Sequence, residues 1–199
     1  MDENRRSEVT SEIPTELNDS FAPQTDSVQP CVWQPLAHVV LHQPQIPQNT
    51  GNIGRSCVAT GSKLWIVQPA AFQIDEKRVR RAGLDYWQYL HWTDVPSWDA
   101  LREQLPERND DDLQNQAPRQ RYWYFSRFAE ETIWDCDLAP GDVFVFGSET
   151  TGLPRTIFKP TDKNAIRLPT APEVRSLNLS STVAIVLYET LRRKTLTDR

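Results

Sequence analysis

Three features of this sequence predict an α/β fold with a mostly parallel sheet and helices on both faces. Short apolar runs bounded by Gly, Pro, Ser or Asn alternate with segments of helical spacing. The first run, His38–Leu41, is followed by Ile53, Cys57 and Val58 on one helical face and then by Leu64–Val67. A strand, helix and strand in about thirty residues is a βαβ unit with a right-handed crossover. Finally, the runs Val143–Phe146 and Ile166–Leu168 each break into a loop of small polar residues, which in open parallel sheets is where ligands sit.

The elements follow in order. Residues 1–35 carry seven acids against Arg5 and Arg6, with Pro14, Pro23, Pro30 and Pro35 between them. Such a segment buries too little apolar surface to offset its ordering entropy, so a disordered acidic leader is expected there and a single domain over 36–199. After the first strand the segment Asn49–Arg55 reads as a Gly-containing loop with Arg55 at a helix start, and Gly61 as the helix stop. The second strand closes at Pro69, and a third is expected around the aromatic stretch Tyr86–Trp92, ending near Trp92. Ser97 caps a modest helix through Leu105. Residues 106–120, polar with the run Asp110–Asp112, read as an inserted surface loop before the strand Tyr122–Phe125. The last helix, from Leu179 to Leu191, is apolar almost all round at Val183–Leu187, which predicts burial in the core or against another subunit.

The formal charge of −5 belongs to the leader: without it, 20 acids face 20 bases. An acidic pI therefore does not argue against a nucleic-acid partner here. Cys31, Cys57 and Cys136 form no CxxC pair, and with only His38, His42 and His91 beside them neither a disulfide framework nor a metal site is expected. No apolar run is long enough to span a membrane, and the N-terminus lacks the pattern of a signal peptide, so a cytoplasmic protein is expected.

Neither GxGxxG nor GxxxxGK[ST] occurs, which removes most support for dinucleotide or P-loop chemistry. Arg55 has the geometry to hold a phosphate bidentately, and equally the composition of a solvated helix residue. The loop Gly147-Ser148-Glu149-Thr150-Thr151-Gly152 allows close backbone approach and offers one acid. Ser176-Leu177-Asn178 is either a site segment or a plain helix cap. Lys77, Arg78, Arg80 and Arg81, followed by Tyr86, Trp87, Tyr89 and Trp92, have the composition of a nucleic-acid surface or of a solvated helix beside a core strand.

Taken together and in order, IPQNTGNIGRSCVATG, DEKRVRRAGLDYW, GDVFVFGSETTGLP, IRLP and RSLNLSSTVAIVLYE resemble the SPOUT class of RNA methyltransferases. The resemblance is most specific to the small enzymes that methylate the ribose 2′-hydroxyl of cytidine or uridine 34, the wobble nucleotide of tRNA. It implies a C-terminal trefoil knot, a homodimer, S-adenosylmethionine as cofactor and the tRNA anticodon stem-loop as partner. Cofactor contacts are implied at Phe125, Ser126, Gly147, Leu168, Ser176 and Leu177. Catalytic roles are implied for Asn49, Arg55, Glu149, Ser176 and Asn178, and RNA contacts for Lys77, Arg78, Arg80, Arg81 and Arg127. Because a guanidinium stays protonated, Arg55 is better suited to hold a phosphate and stabilise developing alkoxide than to act as a base, and Glu149 is expected to orient Arg55 or neighbouring donors. Ribose methylation at another tRNA or rRNA site, or an RNA-binding module without catalysis, are the alternatives.

Overall fold

The structure is a computed structural model that describes residues 33–72, 85–107 and 120–198. The elements lie in the compact unit Gln34–Arg199. They are β1 (His38–His42), α1 (Pro47–Thr60), β2 (Lys63–Val67), a 3-10 turn (Asp85–Tyr89), β3 (Trp92–Val95), α2 (Trp98–Gln104), β4 (Tyr122–Phe125), β5 (Glu131–Thr132), β6 (Val143–Phe146), β7 (Ala165–Arg167) and α3 (Leu179–Thr197). The expected disordered leader falls, except for its last three residues, outside the described part, as do the basic cluster at Lys77, Arg78, Arg80 and Arg81 and most of the 106–120 insertion. The ends of that insertion are described: Glu107 bridges Gln120 and pairs with Arg102.

All pairings among the seven strands are parallel, in the order β3-β2-β1-β6-β4-β7-β5. Strands covered on both faces need apolar residues at every position, and β6 (VFVF) is buried throughout. Alternation sends Val39, Leu41, Leu64, Ile66, Phe144 and Phe146 to one face, under α1 and α3. Val40, Trp65, Val67, Tyr122, Tyr124, Val143 and Val145 point to the other, under α2 and the loops after β6. The expected class therefore holds, with helices on both faces.

Two boundaries differ from the sequence reading. Asn49–Arg55 is not a loop: α1 already begins at Pro47, whose missing N–H and fixed φ suit a first helical position, so Arg55 sits in mid-helix. Gly54 is required there by packing rather than by a turn, because a Cβ would come within 2.9 Å of the Trp87 ring. Gly61, at φ +67°, ends the helix as expected. Tyr86–Tyr89 belongs to the 3-10 turn, and the third strand starts only at Trp92. In the last helix Val183, Val186 and Leu187 are buried in the core, whereas Ile185 and Tyr188 are exposed.

Two anchors hold the C-terminal helix. Asn178 caps it by accepting from the Ser180 N–H at 2.8 Å. Near the other end, Arg193 donates to the carbonyls of Ile133, at 2.9 Å, and Cys136, and to Glu189 at 2.6 Å. That guanidinium therefore ties α3 to the segment after β5 and is not free for a partner. Arg192 and Arg193 together hold the Glu189 carboxyl down to about 2, Arg192's hydrogen bond being the largest cause.

Candidate functional site

A cavity of about 410 Å³ opens at the carboxyl ends of β6, β4 and β7. Its walls are the loops that leave those strands: 126–128 after β4, 147–155 after β6 and 167–178 after β7. The loop after β6 is closed by a bridge between Ser148 and Gly152. A side chain at Gly147 would put Cβ 2.0 Å from the Gly152 carbonyl carbon, so only glycine lets the loop fold back on itself. Gly152 adopts φ +71°, the left-handed region that glycine enters without strain.

Three polar residues from distant parts of the chain meet at the cavity wall in a directed chain of hydrogen bonds. The Ser180 N–H and hydroxyl donate to Asn178 Oδ1, which turns the Asn178 amide nitrogen toward Asn49. Asn178 Nδ2 donates to Asn49 Oδ1 at 3.0 Å, and Asn49 Nδ2 then donates to Glu149 Oε1, also at 3.0 Å. The Glu149 carboxylate further accepts from the backbone N–H groups of Gln45 (2.9 Å) and Ile46 (3.2 Å), just before α1. Ile46 has no side chain to cap the helix, so the carboxylate serves that end, where the helix dipole favours a negative charge. Glu149 thus orients Asn49 and the entry to α1, not Arg55.

The structure brings Asn49, Glu149, Ser176 and Asn178 into one wall with Phe125, Ser126, Gly147, Leu168, Leu177 and Arg127. Arg55 is the exception. It is exposed on α1, outside the cavity wall, with its guanidinium 4.7 Å from the centre of the Tyr86 ring. The Tyr86 hydroxyl in turn donates to the Gly51 carbonyl at 2.7 Å. Burial raises the Tyr86 pKa above its ordinary value, against the opposing effect of Arg55.

Residues that motif reading missed also line the cavity: Phe128, Arg155, Phe158, Arg167 and Arg175. Arg155 follows directly on the Gly-Leu-Pro that closes the loop after β6, a position that marks it in the sequence. Nothing in the spacing distinguishes Phe128, because its importance depends on which way a turn points it. Four arginines and one carboxylate are the ionisable groups of the described wall, so its field is positive. Among the described residues no group of His, Cys, Asp or Glu gathers to hold a metal ion, and no helix is long and apolar enough to cross a membrane.

Residues 37–188 match the family described as the SpoU rRNA Methylase family. The chain belongs to the SpoU rRNA methylase family. One relative of this SpoU-family chain is the tRNA (cytidine(34)-2′-O)-methyltransferase of Saccharophagus degradans (strain 2-40), 39% identical over 160 residues that cover 79% of this chain and 96% of the relative. A second is the enzyme of the same name from Acidovorax sp. (strain JS42), 38% identical over 162 residues, 79% and 92% of the two chains. Among solved structures, one concerned with 2-OH methylation of C/U34 on tRNA superposes with a TM-score of 0.68 at 34% identity, covering 82% of this chain and 97% of that one. The SpoU-family sheet described above is the fold shared with that solved structure.

Proposed function

We propose that this protein transfers a methyl group from S-adenosylmethionine to the ribose 2′-hydroxyl of nucleotide 34, a cytidine or uridine, in tRNA. The observation that carries the reading is the Asn178–Asn49–Glu149 chain beside the cavity, in a chain whose relatives at 38–39% identity are named for that reaction.

The cavity fits the cofactor on two grounds. Its volume of about 410 Å³ suits a nucleoside with a short amino-acid arm. Its wall joins apolar side chains, Phe125, Leu168 and Leu177, to loop backbone, the combination an adenine ring with a polar ribose needs. Phe125, Ser126, Gly147, Leu168, Ser176 and Leu177 would hold it. When bound, the cofactor supplies an electrophilic methyl on a sulfonium.

The chain's residues must then place a ribose hydroxyl in line with that methyl and accommodate the proton it loses. Asn178 and Ser176 orient the ribose, and Asn49 keeps the Asn178 amide in one rotamer. Glu149 already accepts from three donors, which supports a part in fixing Asn49 rather than in taking the proton. The described wall contains no His, Cys, Tyr or Lys to serve as a base, which supports proton release to a substrate phosphate oxygen or to water. Arg55 holds a phosphate beside the target nucleotide, and Arg127, with Lys77, Arg78, Arg80 and Arg81, meets the RNA backbone.

The C-terminal trefoil knot belongs to the same proposal. It is supported by the position of β7 between β4 and β5, so that the short connection 126–130 straddles the chain leaving β7. The exposed Ile185 and Tyr188 on α3 support pairing with a second copy. A cytoplasmic location goes with a tRNA substrate.

Incubation with methyl-labelled S-adenosylmethionine and bulk tRNA, followed by mapping of the labelled nucleotide, tests the reading. Label at the 2′-oxygen of nucleotide 34 is the expected result. Label at another nucleotide would reassign the substrate, and none at all would remove the catalytic reading.

A further inference from the structure

We infer that Phe128, with the guanidinium groups of Arg127 and Arg155 beside it, is the stacking platform for the base of the target nucleotide. The inference rests on the ribose-methylation reading and adds to it the group that holds the base once the ribose lies in the cavity.

The turn after β4 fixes the ring. Its first residue, Ser126, accepts at Oγ from the Phe128 N–H (3.2 Å) and at its carbonyl from the Ala129 N–H (3.1 Å). Ala129 is buried, so the turn is pinned from below while Phe128 stays 58% exposed at the cavity wall. The exposure is therefore built in by the backbone and is not the looseness of a surface side chain.

Arg155 also links the ring to an aromatic pair that begins in the core. Tyr124 and Phe158 lie nearly parallel, with centroids 6.0 Å apart and 16° between planes. Arg155 sits 6.0 Å from the Phe158 centroid and 5.5 Å from that of Phe128, and Arg127 lies 4.4 Å from the Phe128 centroid. Planar guanidiniums and aromatic rings are the surfaces on which splayed-out RNA bases stack.

Charge selects the occupant. Arg127 and Arg155 are in no ion pair among the described residues, which leaves two cations beside an open aromatic face. A sulfonium cofactor with its ammonium group carries net positive charge and is repelled there. A nucleotide brings a base for the ring and a phosphate for the guanidiniums. Methylating the 2′-hydroxyl of a stem-loop nucleotide requires its ribose to enter the cavity, which draws the base out of its own stack. A platform at the mouth replaces the stacking that is lost.

The test uses the full-length protein and two RNA hairpins with the anticodon stem-loop sequence, one intact and one lacking only the base at nucleotide 34. The wild-type protein is expected to bind the abasic hairpin about tenfold more weakly. Phe128→Ala should bind both hairpins equally, at the wild-type level for the abasic one. Phe128→Tyr should restore the preference, and the Kd for S-adenosylmethionine should stay within about twofold of wild type in both variants. Phe128→Ala retaining the wild-type preference for the intact hairpin would overturn the platform. Failure of the wild-type protein to methylate tRNA would instead remove the proposed function, so the two failures are distinct.

Discussion

Replacing Asn49 by Asp probes the hydrogen-bond chain directly, because it changes one atom and reverses one interaction. In the native protein Asn49 Nδ2 donates to Glu149 Oε1 at 3.0 Å. In Asn49→Asp two carboxylates face each other there, while Asn178 keeps an acceptor. Two like charges about 4 Å apart repel by about 4 kcal/mol at an effective dielectric of about 20. Screening at the partly open wall reduces this, and the lost charge-assisted hydrogen bond adds to it, so a destabilisation of about 3 kcal/mol is expected at pH 8. For a domain of this size that lowers Tm by roughly 6–12 °C. The sign with pH follows from proton binding. The crowded pair in the folded variant takes up one proton at a pH above the ordinary carboxylate range, whereas the unfolded chain does not. Stability is therefore lost as pH rises through that value, and the deficit should shrink between pH 8 and pH 5. Asn49→Ala, which has no second carboxylate, should show a deficit that is flat over the same range. Urea unfolding of the three proteins at both pH values is the assay. A variant Asn49→Asp as stable as wild type at pH 8, or with a deficit that does not shrink on acidification, would refute the proposed chain of donors.

Three further outcomes are expected. Burial, with a smaller contribution from Lys63, lowers the His38 pKa to about 4, and Trp65 Nε1 donates to its Nδ1 at 3.0 Å. Since the native state holds this imidazole neutral, acidification favours the unfolded chain, and roughly 2 kcal/mol should be lost between pH 7 and pH 5; urea titrations should show a flatter slope in His38→Asn. Gly147→Ala places a methyl 2.0 Å from the Gly152 backbone, and equilibrium dialysis should show loss of S-adenosylmethionine binding. Arg55→Ala should keep cofactor affinity in the same assay while methyl transfer to tRNA falls by at least about a hundredfold, as expected for loss of a charged group that contacts the substrate.

Much of this fold was legible because its central strands are buried on both faces and so appear as short unbroken apolar runs, as at Val143–Phe146 and Leu64–Val67. Caps were legible for the same local reason, with Gly61 and Ser97 in the places expected of them. Helix α1 was misread at its start because glycine usually signals a turn, and only the proximity of Trp87 explains Gly54 inside a helix. In the site, the loops after β6 and β7 announced themselves by composition. The pairing of Asn49 with Asn178 did not, since 129 residues separate them and only the parallel order of the sheet brings them together. Arg193 is one of three consecutive bases in the sequence, and only the fold brings the Ile133 and Cys136 carbonyls to it.

The order of the strands also dictates an order of events. β4 and β5 are separated by only five residues in the chain, yet β7, more than thirty residues further on, lies between them. A chain emerging from the ribosome therefore exposes both flanking segments before β7 is made, and in the finished sheet they lie about 10 Å apart with β7 between them. Unpaired strand edges recruit other strands until they are filled, so the nascent protein is exposed to mispairing throughout that interval. The cavity walls after β4, β6 and β7 come together around Ala165–Arg167, so the binding site requires that strand to be in place. Cofactor retention by a ribosome-released chain is therefore expected to report that β7 is seated between β4 and β5.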